Sequence, residues 1–365
     1  MKDGHKRLFI PGPTEVPRDV LDAHSTPQIG HRPAEFTELY TRVIGNLEKF
    51  FGIDGKTYRA VTHTASGTIW MDMVIRSLVK KKVLCTTCGS FSERQAETAK
   101  VCGKEVDVLT VEWGKAVKPE MIRERLQADP EIDTVTIVHN ETSTGVRNPI
   151  YEIGKMIREE FPEVMLAIDS VSALGGDLVE PAKVGADVIF TSTQKCFAVP
   201  PGLSMAIISD RAMKRIPEVD NRGYYTDILA ITGYYDKKQQ TFSTPSTPLL
   251  WGLDVQLKRM VEETYQKRHE RHVEMAQYAR AWAKKHFKLF AEEGYESNTV
   301  TTVANTDTAK YDVSALNKAL GERGWMIANG YGDLKNKTFR LGHMGEWTLS
   351  DLKELLWHIE EIWGL

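Results

Sequence analysis

The sequence predicts an α/β fold with a large domain built on a mostly parallel sheet and a second, smaller domain. Three observations carry that expectation. From residue 60 to about 210, short β-branched runs alternate with amphipathic stretches of helical period, and strand, helix, strand at that pace requires crossovers between parallel strands. After Pro248 the pattern changes to one long helical stretch followed by short strands and helices. The chain has 365 residues, 41% hydrophobic and 27% charged, which is enough for one large core and a smaller one.

The elements follow in order. The start, MKDGHKRLFIPGPTEVP, is rich in proline and glycine and predicts an irregular segment, residues 1–17, that packs against the body of the protein. The large domain, 18–250, contains the runs KVLCTT, EVDVLTV, DTVTIVH, VMLAID, DVIFTS and LSMAIIS as strands, with PEMIRERLQAD and NPIYEIGKMIREEF among the helices between them. A long connecting helix through LLWGLDVQLKRMVEETYQKRHERHVEMAQYARAWAKKHF leads into the remainder, 251–365. TVTTVAN, DVSALNKALGERGW, KTFRLGH and DLKELLWHIEEIW complete the α+β unit.

Charge and composition exclude several functions. With 47 basic and 50 acidic residues the net charge is −3, so no overall field draws nucleic acid or an anionic membrane. No run approaches the roughly 18 apolar residues of a membrane span, and the start lacks an apolar signal core; the chain reads as cytosolic. Four cysteines, Cys85, Cys88, Cys102 and Cys196, are too few for a disulfide framework. Cys85 and Cys88 form a lone CxxC without the second pair or histidines of a metal site, so no metal is expected and packed thiols are.

Chemistry is expected beyond the carboxyl ends of the strands, where ligands of parallel sheets sit. In THTASGT, Ser66, Gly67 and Thr68 open a helix and can aim backbone N–H groups and hydroxyls at an anion, although an ordinary N-cap would look the same. HNETSTG places Thr142 in a polar turn after a strand. Asp169 ends an apolar strand, where a carboxylate needs a cation or a strong donor unless it caps the next turn. Lys195 follows DVIFTS among Thr191, Ser192, Thr193 and Gln194, ahead of Pro200-Pro201-Gly202. A lysine there commonly snorkels to water, but small polar neighbours and a rigid turn suit an amine held with a depressed pKa for Schiff-base chemistry. A helix N-terminus for a phosphate, a lysine for an aldehyde and an aspartate for a pyridine nitrogen together suit pyridoxal phosphate.

With these motifs in order, together with PGPTEVP, IGHRPAEF, STQKCFAVPPGLS and FRLGH, the chain resembles class V, fold-type I pyridoxal-phosphate aminotransferases. The likeness is to the alanine–glyoxylate and serine–glyoxylate (serine–pyruvate) branch and runs over nearly the whole length. The resemblance implies a seven-stranded sheet and a cytoplasmic homodimer with active sites at the interface. It assigns Lys195 as Schiff-base lysine and proton shuttle, Asp169 as partner of the pyridinium, and Ser66, Gly67, Thr68 and Gln194 as phosphate ligands. It also puts Thr142 near the ring's phenolic oxygen and Arg340 on the substrate α-carboxylate. Phe91 stands where relatives often carry a stacking tryptophan; by itself it would read as core, and Arg340 as a strand-edge charge. Ser243 and Thr244, in QQTFSTPSTP, correspond to the segment that reaches the neighbouring subunit's phosphate, with Gln240 where a tyrosine is common. His31 and Arg32 lie in a stretch that binds a substrate phosphate in related phosphoserine aminotransferases, or they form a structural pair near the dimer interface.

The expected activity is ping-pong transfer from a small L-amino acid of alanine or serine type to glyoxylate or pyruvate. Phosphoserine or aspartate with 2-oxoglutarate is the rival within the chemistry, with Arg222 as a further cation. A desulfurase or lyase shares the fold, but no cysteine follows Cys196 to act as a late-loop nucleophile. A non-catalytic hydrogenase-associated subunit is the reading from another class, which the retained lysine, aspartate and arginine oppose.

Overall fold

The computed structural model describes residues 4–365; residues 1–3, the first of the N-terminal segment, lie outside the described residues. In chain order the strands are β1 (Arg7–Phe9), β2 (Tyr58–His63), β3 (Lys82–Thr87), β4 (Glu105–Thr110), β5 (Ile132–Val138), a ribbon of β6 (Asn140–Glu141) and β7 (Val146–Arg147), and β8 (Met165–Asp169). There follow β9 (Val188–Ser192), β10 (Ser204–Ser209), β11 (Lys288–Leu289), β12 (Thr301–Ala304), β13 (Trp325–Asn329) and β14 (Thr338–Leu341).

Seven strands form one sheet in the order β2-β10-β9-β8-β5-β3-β4. Only β10 is antiparallel to its neighbours; the other pairs in this sheet are parallel. Period-two alternation sends side chains to two separate cores. Leu166, Ile168 and Ile189 join the core that includes helix Ala34–Phe51, and Met165, Ala167, Val188 and Phe190 join the one that includes helix Thr68–Leu78. The first of these helices buries Phe36, Leu39, Tyr40, Val43, Ile44 and Leu47, the i, i+3, i+4, i+7 stripe of an amphipathic helix. Because β5, β8 and β9 pair with Val138 opposite Asp169 and Asp169 opposite Phe190, their carboxyl ends finish at one level. Residues that follow them are thereby brought to one place.

The second sheet runs β1-β13-β14-β12-β11. Helices Tyr265–His286, Val313–Glu322 and Leu349–Trp363 pack on it around Phe9, Trp282, Trp325 and Phe339. Two expectations are corrected here. The N-terminal segment is not irregular throughout, because Arg7–Phe9 is a strand paired parallel to β13. Phe9 is fully buried, and the Arg7 guanidinium lies 4.0 Å from the Trp325 ring centroid, so burial and a cation–π contact dock it on the second sheet. The long helix is two helices, Thr247–Glu263 and Tyr265–His286. The break is Thr264, at φ 72, whose hydroxyl accepts from the Lys267 N–H at 3.4 Å and caps the second helix.

Among the described residues, no helix is long and apolar enough to cross a membrane. The thiols of Cys85, Cys88 and Cys196 are buried, and burial pushes them up to about 11, 12 and 12. Such thiols pack and do not ionise near neutral pH.

Candidate active site

A cleft of about 250 Å³ opens where the strand ends meet. Ser66, Gly67, Thr68, Phe91, Thr142, Asp169, Gln194 and Lys195 all line it. Each reaches it for a local reason.

Lys195 sits three residues past β9 in a turn tied at both ends. Thr193 Oγ1 donates to Pro200 O at 2.8 Å, Ala198 N–H to Lys195 O at 2.9 Å, and Thr14 N–H to Gln194 O at 3.0 Å. Ala198 takes φ 50, a left-handed conformation that a non-glycine residue holds only when its surroundings enforce it. The lysine is 8% exposed and its Nζ donates to the carbonyl of Pro11. Burial, with the Arg340 charge adding to it, brings the amine down to about 8. A Cβ on Gly12 would lie 2.6 Å from Lys195 Cδ, so the glycine is what lets the chain pass over the amine.

Asp169 closes β8 with Oδ1 accepting from the Val171 N–H at 2.9 Å. Burial pushes its carboxyl up to about 7, with the charge of Glu141 adding to the rise. A carboxyl raised in this way is poised to accept a cationic N–H. Beside it, helix Thr68–Leu78 begins without a side-chain cap; the Ile69 and Trp70 N–H groups bond to the carbonyls of Ser66 and Gly67, and Ser66, Gly67 and Thr68 line the cleft at this helix start. A Cβ on Gly67 would meet Val171 Cγ2 at 3.0 Å and Ser192 Cβ at 3.1 Å.

Phe91 lies with its ring centroid 5.9 Å from Lys195 Nζ, 5.1 Å from the Arg94 guanidinium and 5.3 Å from the Tyr331 ring. Thr142 Oγ1 is 2.5 Å from Ser172 Oγ, and its carbonyl accepts from Arg340 Nη1 at 3.2 Å. Arg340, on β14 of the second sheet, also donates from Nε to Asn329 O at 3.1 Å and is 5.5 Å from the Tyr331 centroid. It is 8% exposed, and burial lowers it to about 10, still a cation at neutral pH.

Five expected residues are elsewhere in their own chain. Arg32 Nη1 donates to Thr241 O at 2.9 Å and the guanidinium covers the Tyr234 ring, while His31 beside it is half-buried. Ser243 lines a separate small cavity with His63 and Phe242, and Thr244 next to it is exposed. Arg222 is held by Asp227 at 3.1 Å and by backbone carbonyls.

Four further residues that shape the cleft were not singled out from the sequence. Glu141, fully buried, accepts from Ser92 N–H and Oγ at 2.9 Å and from Ser143 Oγ at 2.6 Å, fixing the helix start that carries Phe91; its signal was a carboxylate directly after a strand in HNETSTG. Pro11 and Gly12 open PGPTEVP, whose proline and glycine content signals an irregular segment and no chemistry. Tyr331 had no local signal.

Pyridoxal phosphate fits this donor set. An uncapped helix start suits its phosphate, a partly neutral amine its aldehyde, a raised carboxyl its ring nitrogen, and Phe91 can lie against its ring.

Comparison with known proteins agrees with the geometry. The family model described as Aminotransferase class-V matches residues 8–333. An uncharacterized aminotransferase of Methanocaldococcus jannaschii is 40% identical over 347 residues, 93% of this chain and 88% of the relative. The serine–glyoxylate aminotransferase of Methylorubrum extorquens is 33% identical, over 97% of this chain and 89% of its own length. Among solved structures, an alanine–glyoxylate aminotransferase from Nostoc sp. superposes with a TM-score of 0.90 at 25% identity, covering 99% of this chain and 96% of the other.

Proposed function

Because this chain belongs to the aminotransferase class-V family and is a pyridoxal-phosphate-dependent transaminase, we propose that it moves the amino group of a small L-amino acid, alanine or serine, to glyoxylate or pyruvate. The observation that carries the reading is a buried lysine and a buried carboxyl raised to about 7 lining one cleft, with a buried arginine bonded to the carbonyl of Thr142 in its wall. The names of the serine–glyoxylate and alanine–glyoxylate relatives support the substrate class.

When bound, the cofactor supplies an aldehyde carbon and a protonated ring that draws electrons from the substrate α-carbon. Lys195 would hold it through its amine and would carry the proton of the substrate α-carbon. Asp169 keeps the ring nitrogen protonated by a charge-assisted hydrogen bond. Ser66, Gly67, Thr68 and Gln194 would hold the phosphate, Phe91 would pack against the ring, and Thr142 would orient its phenolic oxygen. Arg340 grips the α-carboxylate. Ser243 and Thr244, outside the cleft of their own chain, serve the phosphate site of a second copy in a homodimer.

A small side chain is favoured because Arg32 and Arg222, the cations weighed for a phosphate or second carboxylate, are engaged elsewhere in their own chain. One observation favours aspartate as a rival donor: Arg94 lines the cleft and its Nη2 donates only to Tyr331 Oη, at 3.2 Å, among the described residues. Steady-state rates with alanine, serine, aspartate and phosphoserine, each against glyoxylate, pyruvate and 2-oxoglutarate, test the reading. Alanine or serine with glyoxylate or pyruvate is expected to give the highest kcat/KM; a phosphoserine or aspartate preference would replace it.

Arg340→Gln removes the charge but keeps a polar group. KM for the amino acid is expected to rise about tenfold to a hundredfold, the range for one charge-assisted hydrogen bond. The reaction with an amine lacking a carboxylate is expected to be unaffected, which kinetics on the two substrates would check.

A further inference from the structure

Arg268 is fully buried in the first turn of helix Tyr265–His286, and its guanidinium meets three loops at once. Nε donates to Gly175 O at 2.8 Å, and Nη2 lies 2.7 Å from Cys196 O and 3.1 Å from Gly345 O. Glu263 Oε2 and Glu346 Oε1, each at 2.7 Å, balance its charge. Those carbonyls belong to the segments that follow Asp169, Lys195 and Arg340 in the chain.

The three loops are also packed edge to edge. A Cβ on Gly175 would come within 3.0 Å of the Phe197 ring, and one on Gly345 within 3.1 Å of Ala198 Cβ. Among the described residues, no backbone hydrogen bond joins Lys195, in the turn after β9 of the first sheet, to Arg340, on β14 of the second. The rigid planar fork of arginine is what spans the gap; a lysine ammonium is a point charge and cannot reproduce three carbonyl contacts in one plane.

We propose that Arg268 is a positioning residue: it sets the register of the Asp169, Lys195 and Arg340 loops against one another, so that the amine and the carboxylate-gripping arginine face one substrate. The inference rests on the roles proposed above for those three residues. Its structural part is separately testable, because amide exchange can be followed on protein freed of cofactor, whatever those roles are.

The experiment is hydrogen–deuterium exchange on the apoprotein of Arg268→Lys, paired with steady-state kinetics of the holoenzyme. Exchange is expected to rise about fivefold, the factor for one lost hydrogen bond, in 170–176, 195–199 and 342–346 together, with the sheet strands unchanged. The amino-acid KM is expected to rise with those loops while cofactor absorbance is retained. Glu263→Gln, which keeps the arginine but removes the carboxylate at Nη1, is expected to loosen the same three loops to a smaller degree. It also carries the test if the lysine variant does not fold. Unchanged exchange in the three loops, or acceleration spread over the whole fold, overturns the proposal, since the first removes the contact's effect and the second makes Arg268 an ordinary part of the core.

Discussion

Lys195→Ala is expected to lower kcat by at least about 10²- to 10⁴-fold, the range attributable to proton transfer alone, with further loss from the missing covalent anchor. Assay of the purified variant against wild type measures it. The fold is expected to survive, because the turn is held by backbone and Thr193 contacts that the side chain does not make. A small primary amine added to the variant is expected to restore part of the rate, since the gap left by the side chain is beside Gly12 and open to the cleft. The amine also sets a pH dependence. Only its neutral form can bond an aldehyde, and burial places its midpoint at about 8. Uptake of cofactor by the apoprotein is therefore expected to quicken as pH rises and to level off above that value.

Asp169→Asn is expected to cost about 10²- to 10³-fold in turnover, the equivalent of breaking one buried charged contact. Stability moves the other way, and the sign follows from protons. In the folded apoprotein the carboxyl titrates at about 7, against about 4 in an unfolded chain. Between those values the folded form keeps a proton that the unfolded form has released, so stability falls as pH rises through the window. The penalty reaches up to about 4 kcal/mol above pH 7. Asparagine has no proton to lose. Its apoprotein is expected to melt above wild type at pH 8, with the difference shrinking through pH 7 and absent near pH 4. Added cofactor is expected to raise the melting point of wild type more than that of the variant, because only the carboxylate can pair with a cationic ring nitrogen.

Much of the seven-stranded sheet was legible because its signals are local. KVLCTT is β3 to the residue, and the other five runs match β4, β5, β8, β9 and β10 within about a residue at either end. Asp169 and Lys195 could be singled out because a polar residue at the carboxyl end of an apolar parallel strand is costly without a purpose. The features that escaped are non-local. Arg7–Phe9 is a three-residue strand whose partner, Trp325 to Ile327, lies more than 300 residues on, and no periodicity announces such a pairing. The helix break at Thr264 interrupts a hydrophobic pattern that continues on both sides, and the buried ion pair of Arg268 with Glu263 that flanks it is visible only in the packing. Tyr331 and Pro11 approach the cleft from the second sheet's side of the molecule, so their proximity to Phe91 and Lys195 is a property of how the two sheets sit together.

Borohydride reduction of the cofactor-loaded protein, followed by digestion and mass spectrometry, tests the central claim most directly. Reduction makes permanent whichever link holds the cofactor aldehyde to an amine. The added pyridoxyl phosphate mass is expected on the peptide containing TSTQKCFAVPPG, at Lys195, and on no other lysine. The same mass on a different lysine, or a protein that takes up no cofactor, would contradict the assignment of Lys195 and the roles built around it.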